Sequence, residues 1–81
     1  MEIIYNLIEV NNLRERILKN RLKEIRMREF MMAPGEFAKK IGTDIKNYNN
    51  WESSRSKPRL EIALQVAEKL NRKVEDIWYF E

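Results

Sequence analysis

Apolar positions recur at helical spacing through most of the chain and divide it into short helices separated by breakers. In the stretch 34–52, Phe37, Ala38 and Ile41 fall at that spacing behind Pro34. Proline suits the first turn of a helix, where its missing N–H has no partner to lose. Gly42 stops this helix by taking a left-handed angle cheaply. Thr43 and Asp44 come next, and either side chain can cap a second helix that ends near Ser53–Ser54. Two helices this short cannot bury themselves, so the rest of the chain must supply a core.

Other segments offer one. Residues 13–31 read as helix, with Leu18, Leu22 and Ile25 on one side, Phe30 near the end, and Arg and Lys alternating with Glu elsewhere. Asn20 can cap a fresh start, so Leu13–Lys19 is either a separate turn or continuous with the helix beyond it. Met31 and Met32 read as flexible filler at a helix end. Residues 53–59, SSRSKPR, are polar, basic and closed by proline, which makes a loop. Over residues 59–70, Leu60, Ala63, Leu64, Ala67 and Leu70 form a stripe that Ile62 and Val66 widen. That breadth predicts a well-buried helix, ended by Asn71 in a left-handed position. Val74–Trp78 reads as a last short helix with Val74, Ile77 and Trp78 inward. Residues 1–12 stay ambiguous. Ile3, Ile4, Leu7 and Ile8 suit a helical stripe, the β-branched content suits a strand, and Asn11–Asn12 reads as a break. This segment either packs back on its own domain or makes a dimer contact.

Length and composition narrow the classes. Eighty-one residues fit one small domain, and 43% hydrophobic with 36% charged residues argues for a folded chain. No apolar run reaches the roughly 18 residues of a membrane span. Acidic Glu2 stands where a signal peptide carries basic charge. With no cysteine there are no disulfides or thiolate metal sites, which permits a cytosolic life. The chain also has no histidine, no glycine-rich phosphate loop and no convincing carboxylate pair, so no enzyme and no cofactor is expected. The net charge of +3 is uneven. Arg14–Glu29 carries seven basic and three acidic residues, Asp44–Arg59 four and two, and Leu60–Glu81 three and five. A cationic body with an acidic tail suits either a polyanion on one face or a plain mixed-charge surface.

The helix Asp44–Ser53 sharpens that choice. On a wheel, Ile45, Tyr48, Trp51 and Glu52 fall on one side and should pack inward, while Lys46, Asn47, Asn50 and Ser53 fall on the other. Asparagine is a poor helix former, so Asn47, Asn49 and Asn50 weaken the helix with no evident structural return. Amides pair with adenine and lysine with guanine acceptors in a major groove, which makes Lys46, Asn47 and Asn50 candidate base contacts. Asn49, Arg55, Lys57 and Arg59 are candidate phosphate contacts beside them.

These pieces carry a family resemblance. RLKEIR at 21–26, EFAKKIG at 36–42, NYNNWE at 47–52, KPRLEIALQVAEKL at 57–70 and VEDIWYF at 74–80 resemble the phage repressor and Cro-like (XRE-type) helix-turn-helix family. The resemblance implies an all-α, compact five-helix, lambda-repressor-like domain over residues 18–81, behind an N-terminal extension of residues 1–17. It implies sequence-specific binding of double-stranded DNA, transcriptional regulation of repressor type and a homodimer. It also implies a cytoplasmic, bacterial or phage-encoded protein, nucleoid-associated when bound, with no membrane and no small-molecule substrate. A protein-interaction module on the same fold, such as an antitoxin or complex subunit, is the alternative. Arg26 and Glu52 sit where the family often keeps a structural ion pair, and Tyr48 and Trp51 where it keeps core residues. The chain departs from the family in three places. Ala33–Pro34 replaces a Ser/Thr-Gln pair, so a phosphate there meets only backbone N–H groups. MREFMMA is one residue longer than usual between the first two helices. Ile45 stands where a polar residue is frequent, so a contact there is apolar or absent.

Overall fold

The computed structural model describes residues 16–81. The stripe or strand over 1–12, the break at Asn11–Asn12, the helix start at Leu13 and the N-terminal dimer contact lie outside the described residues.

Strand β1 spans Leu18–Asn20, and helix α1 begins at Leu22–Glu24 and runs on as a π-helical segment, Ile25–Phe30. Helix α2 spans Pro34–Ile41, α3 spans Ile45–Glu52 and α4 spans Leu60–Lys69. A 3-10 turn at Val74–Asp76 leads into strand β2, Trp78–Phe80. β1 and β2 pair antiparallel, with Leu18 opposite Phe80, Lys19 opposite Tyr79 and Asn20 opposite Trp78.

The helical class holds, but the described residues contain four helices rather than five, together with a two-stranded ribbon. The expected helix over 13–31 starts only at Leu22, because Leu18–Asn20 is committed to β2. The expected helix Val74–Trp78 is instead one 3-10 turn and then a strand. Two forces override the helical reading. The aromatic run Trp78-Tyr79-Phe80 favours extended backbone, and the Arg21 N–H donates to the Ile77 carbonyl at 2.9 Å, which fixes the ribbon's inner end.

The turn chemistry matches the sequence closely. Pro34 occupies the first turn of α2, and Gly42 closes that helix at φ 86°. Asp44 caps α3 by accepting the Asn47 N–H at 2.7 Å. Asn71 takes φ 55° after α4. Asn20 accepts the Leu22 N–H at 3.1 Å, which caps the start of α1.

Met31 holds φ 49° with its side chain exposed, a left-handed position that nothing in its residue type predicts. A π-helical segment, Ile25–Phe30, precedes it within the stretch that the resemblance implied to be one residue longer than usual. A π turn takes one more residue than an α turn, so a helix of this kind can hold a longer segment without lengthening the loop after it. Both Met31 and Met32 direct their N–H groups to the Arg26 carbonyl.

The core gathers Leu22 and Ile25 from α1, Phe37, Ala38 and Ile41 from α2, Tyr48 and Trp51 from α3, Val66, Ala67 and Leu70 from α4 and its end, and Ile77. Phe37 meets the Tyr48 ring edge-on at 5.5 Å between centroids, an arrangement that favours aromatic pairs. The breadth expected of α4 fails on one side: Leu60 is 69% and Leu64 50% exposed. Leu64 lies one residue, about 100° of rotation, beyond buried Ala63 and so leaves the packed face.

Candidate nucleic-acid interface

Helices α2 and α3 form a packed pair joined by the turn Gly42-Thr43-Asp44. The inner side of α3 is fixed by a chain of polar bonds as well as by its aromatic residues. Arg26, buried in the π-helical segment, donates from Nε to the Tyr48 hydroxyl at 2.9 Å and from Nη1 to the Met32 carbonyl at 3.0 Å. The Tyr48 hydroxyl donates onward to the Glu52 carboxylate. Arg26 Nε and Glu52 Oε2 stand 3.5 Å apart, so the tyrosine bridges a direct ion pair. Burial pushes the Tyr48 phenol well above its usual range, and its bond to the Glu52 carboxylate adds to the effect. Tyr48 therefore remains a neutral donor at any physiological pH. A polar group this deep is stable because each member is satisfied.

The far end of α3 is held from a distance. The Asn20 side-chain amide donates to the carbonyls of Trp51 at 3.1 Å and Glu52 at 3.3 Å, and to the Ser54 hydroxyl at 3.3 Å. These are carbonyls that a helix C-terminus leaves without internal partners. The next loop folds back onto the same helix. Arg55 and Ser56 both direct their N–H groups to the Asn50 carbonyl, at 2.9 and 3.2 Å. That fold brings the basic loop beside the end of α3.

The outer side of α3 is the reverse of this. Lys46, Asn47 and Asn49 are exposed, and Asn50 is half-buried. Among the described residues, none of these four side chains takes part in a hydrogen bond or ion pair. Arg55, Lys57 and Arg59 are all exposed and carry no ion pair among the described residues. The arrangement leaves a row of donors and acceptors on a rigid helix with cations at its end. Among the described residues no group of three acidic side chains is placed to hold a metal ion.

One expectation on this helix needs correction. Ile45 does not pack inward with Tyr48 and Trp51; it is 48% exposed. As the first residue of α3 it has no preceding turn to cover it, and its neighbour on α2 is Gly35, which has no side chain. Sequence reasoning also missed two supports of the site. Asn20 lies 31 and 32 positions from its partners, so no local pattern reveals the tether. Tyr48 read only as a core residue, because its hydroxyl's partner is visible only once Arg26 is in place.

A family model described as Helix-turn-helix matches residues 22–77, from the start of α1 to the residue before β2. The chain belongs to the helix-turn-helix family. A relative from Archaeoglobus fulgidus, called an uncharacterized HTH-type transcriptional regulator, is 33% identical over 64 residues, covering 79% of this chain and 89% of that protein. The helix-turn-helix match includes α1 to α4 but leaves out both strands of the ribbon. No helix of the described residues is long and apolar enough to cross a membrane.

Proposed function

We propose that this protein is a sequence-specific double-stranded DNA-binding regulator of transcription, of repressor type, that lays α3 in the major groove. The observation that carries the reading is the uncommitted outer row of Lys46, Asn47 and Asn50 on a helix whose inner side is tied at both ends. Asn50 and Asn47 suit adenine, and Lys46 suits the guanine acceptors. Asn49, Arg55, Lys57 and Arg59 would meet phosphates on either side of the groove. The start of α2 at Ala33–Gly35 offers only backbone N–H groups to the DNA backbone. The Arg26–Tyr48–Glu52 group acts in this reading as a structural brace and does not touch DNA. The family match and the name of the Archaeoglobus relative support the same reading. It is a cytoplasmic role, needs no cofactor and involves no catalysis.

A homodimer would read two half-sites about one helical turn apart. The exposed leucines Leu60 and Leu64 on α4 are one apolar surface among the described residues that suits a second copy. The same surface supports the alternative of an interaction module on this fold, an antitoxin or complex subunit. Selection of bound sites from random duplex DNA tests the main reading. Asn50→Ala should then relax sequence preference, whereas Lys57→Ala should weaken binding to all duplexes alike and lower the salt slope by about 1. A purified sample that shifts no duplex in a salt-sensitive manner sinks the reading. Light scattering of the full chain against one lacking residues 1–12 tests the dimer. An unchanged mass would rule out an N-terminal contact and move attention to exposed surfaces such as α4.

A further inference from the structure

The exposed Ile45 is the one apolar side chain on the outer surface of α3. It borders a shallow cleft of about 350 Å³ between the start of α2 and the start of α3, lined by Gly35, Glu36, Lys39, Thr43, Asp44 and Ile45. Ile45 Cδ1 stands 3.6 Å from the point where a side chain on Gly35 would begin. The absence of a side chain at Gly35 leaves that side of the isoleucine bare within the cleft. Ile45 and Lys46 share the exposed first turn of α3, about 100° apart around its axis, so a base edge that meets Lys46 at the start of the helix lies within reach of the isoleucine.

We infer that Ile45 and the Gly35 cleft read the C5-methyl group of a thymine, making Ile45 a specificity-determining residue. The inference rests on the DNA-binding reading above. Three observations favour a methyl group over other occupants. An exposed branched aliphatic chain gains from contact with an apolar group and nothing from a phosphate or an amide. Two of the cleft's three charged side chains, Glu36 and Asp44, are carboxylates, which disfavour a phosphate oxygen there. The Asp44 carboxylate is already engaged by the Asn47 N–H at 2.7 Å, so it is not free to take a cytosine amino group through that oxygen. In the major groove the thymine methyl is the apolar group that distinguishes one base pair from the others.

The test uses the full chain and the duplex enriched from random DNA by the wild-type protein. Each thymine of that duplex is replaced singly by deoxyuridine, which removes the methyl and keeps every hydrogen-bonding group. The expected result is one thymine per half-site whose replacement weakens wild-type binding by about three- to fivefold, the worth of one buried methyl. Ile45→Ala should bind the deoxyuridine and thymine duplexes equally at that position. Its thermal midpoint, read beside the binding, should match the wild type because Ile45 is exposed. If the wild type binds the selected duplex tightly but no deoxyuridine changes its affinity by more than about twofold, the inference is overturned and the DNA reading stands. Sensitivity that persists undiminished in a folded Ile45→Ala overturns it equally. If no duplex is enriched at all, the DNA reading fails first and takes this inference with it.

Discussion

Helices α3 and α4 are of similar length and pack in the same small domain, yet they treat their sequences in opposite ways. α3 carries three asparagines, keeps them outside, and is anchored by side chains from elsewhere: Asp44 at its start, Asn20 at its end and Arg26 along its inner edge. α4 is rich in strong helix formers, has no side-chain cap and leaves two leucines in the open. α3 thus draws its order from its neighbours, and α4 draws more of its own from intrinsic propensity. The helix with the weakest intrinsic preference is the one most heavily braced. That is the pattern expected where the exposed residues were chosen for something other than folding.

The contrast can be broken by removing braces. Arg26→Met should have the largest effect, about 3 kcal/mol of lost stability, because it strands the Glu52 carboxylate and leaves the Tyr48 hydroxyl short of a donor. Chemical denaturation measures it, and a loss below about 1 kcal/mol would show that the brace is not what holds α3. Asn20→Ala should come second at about 1–2 kcal/mol, since it frees the carbonyls at the end of α3 and removes the cap on α1. Its signature is faster hydrogen exchange at the last turn of α3 and at the Leu22 amide that opens α1. Leu64→Glu should have the smallest effect, within about 0.5 kcal/mol for a monomer, because the site is half exposed and glutamate is a good helix former. A concentration-dependent loss well beyond that would mean that a second copy covers α4.

The sequence carried much of this arrangement in legible form. Breakers and caps act locally, so Pro34, Gly42, Asp44 and Asn71 announced the ends of three helices. Burial was readable where periodicity is strict, as for Tyr48 and Trp51. The ribbon was not legible, because its two strands are three residues each and their partners lie at opposite ends of the described chain. A short apolar run such as Trp78-Tyr79-Phe80 suits helix and strand alike until its partner is known. The π turn at Ile25–Phe30 was not legible either, since the apolar spacing of this stretch fits an ordinary α-helix. At the candidate site, Lys46, Asn47 and Asn50 could be assigned to one side from the wheel. The wheel turned Ile45 inward, and only the family resemblance, which puts it at a contact position, pointed to its exposure.

The ribbon also gives the domain a mechanical character. Its outermost bond joins Glu81 N–H to the Ile17 carbonyl at 3.2 Å, and its innermost joins Arg21 N–H to the Ile77 carbonyl at 2.9 Å. Tension applied at Ile17 and Glu81 would pull the strands apart like a zipper, one bond at a time, instead of loading all of them in shear. Asn20 sits at the inner end of that zipper while holding the last turn of α3. Fraying therefore spends itself on the outer bonds first, and α3 keeps its grip until the ribbon is almost fully peeled.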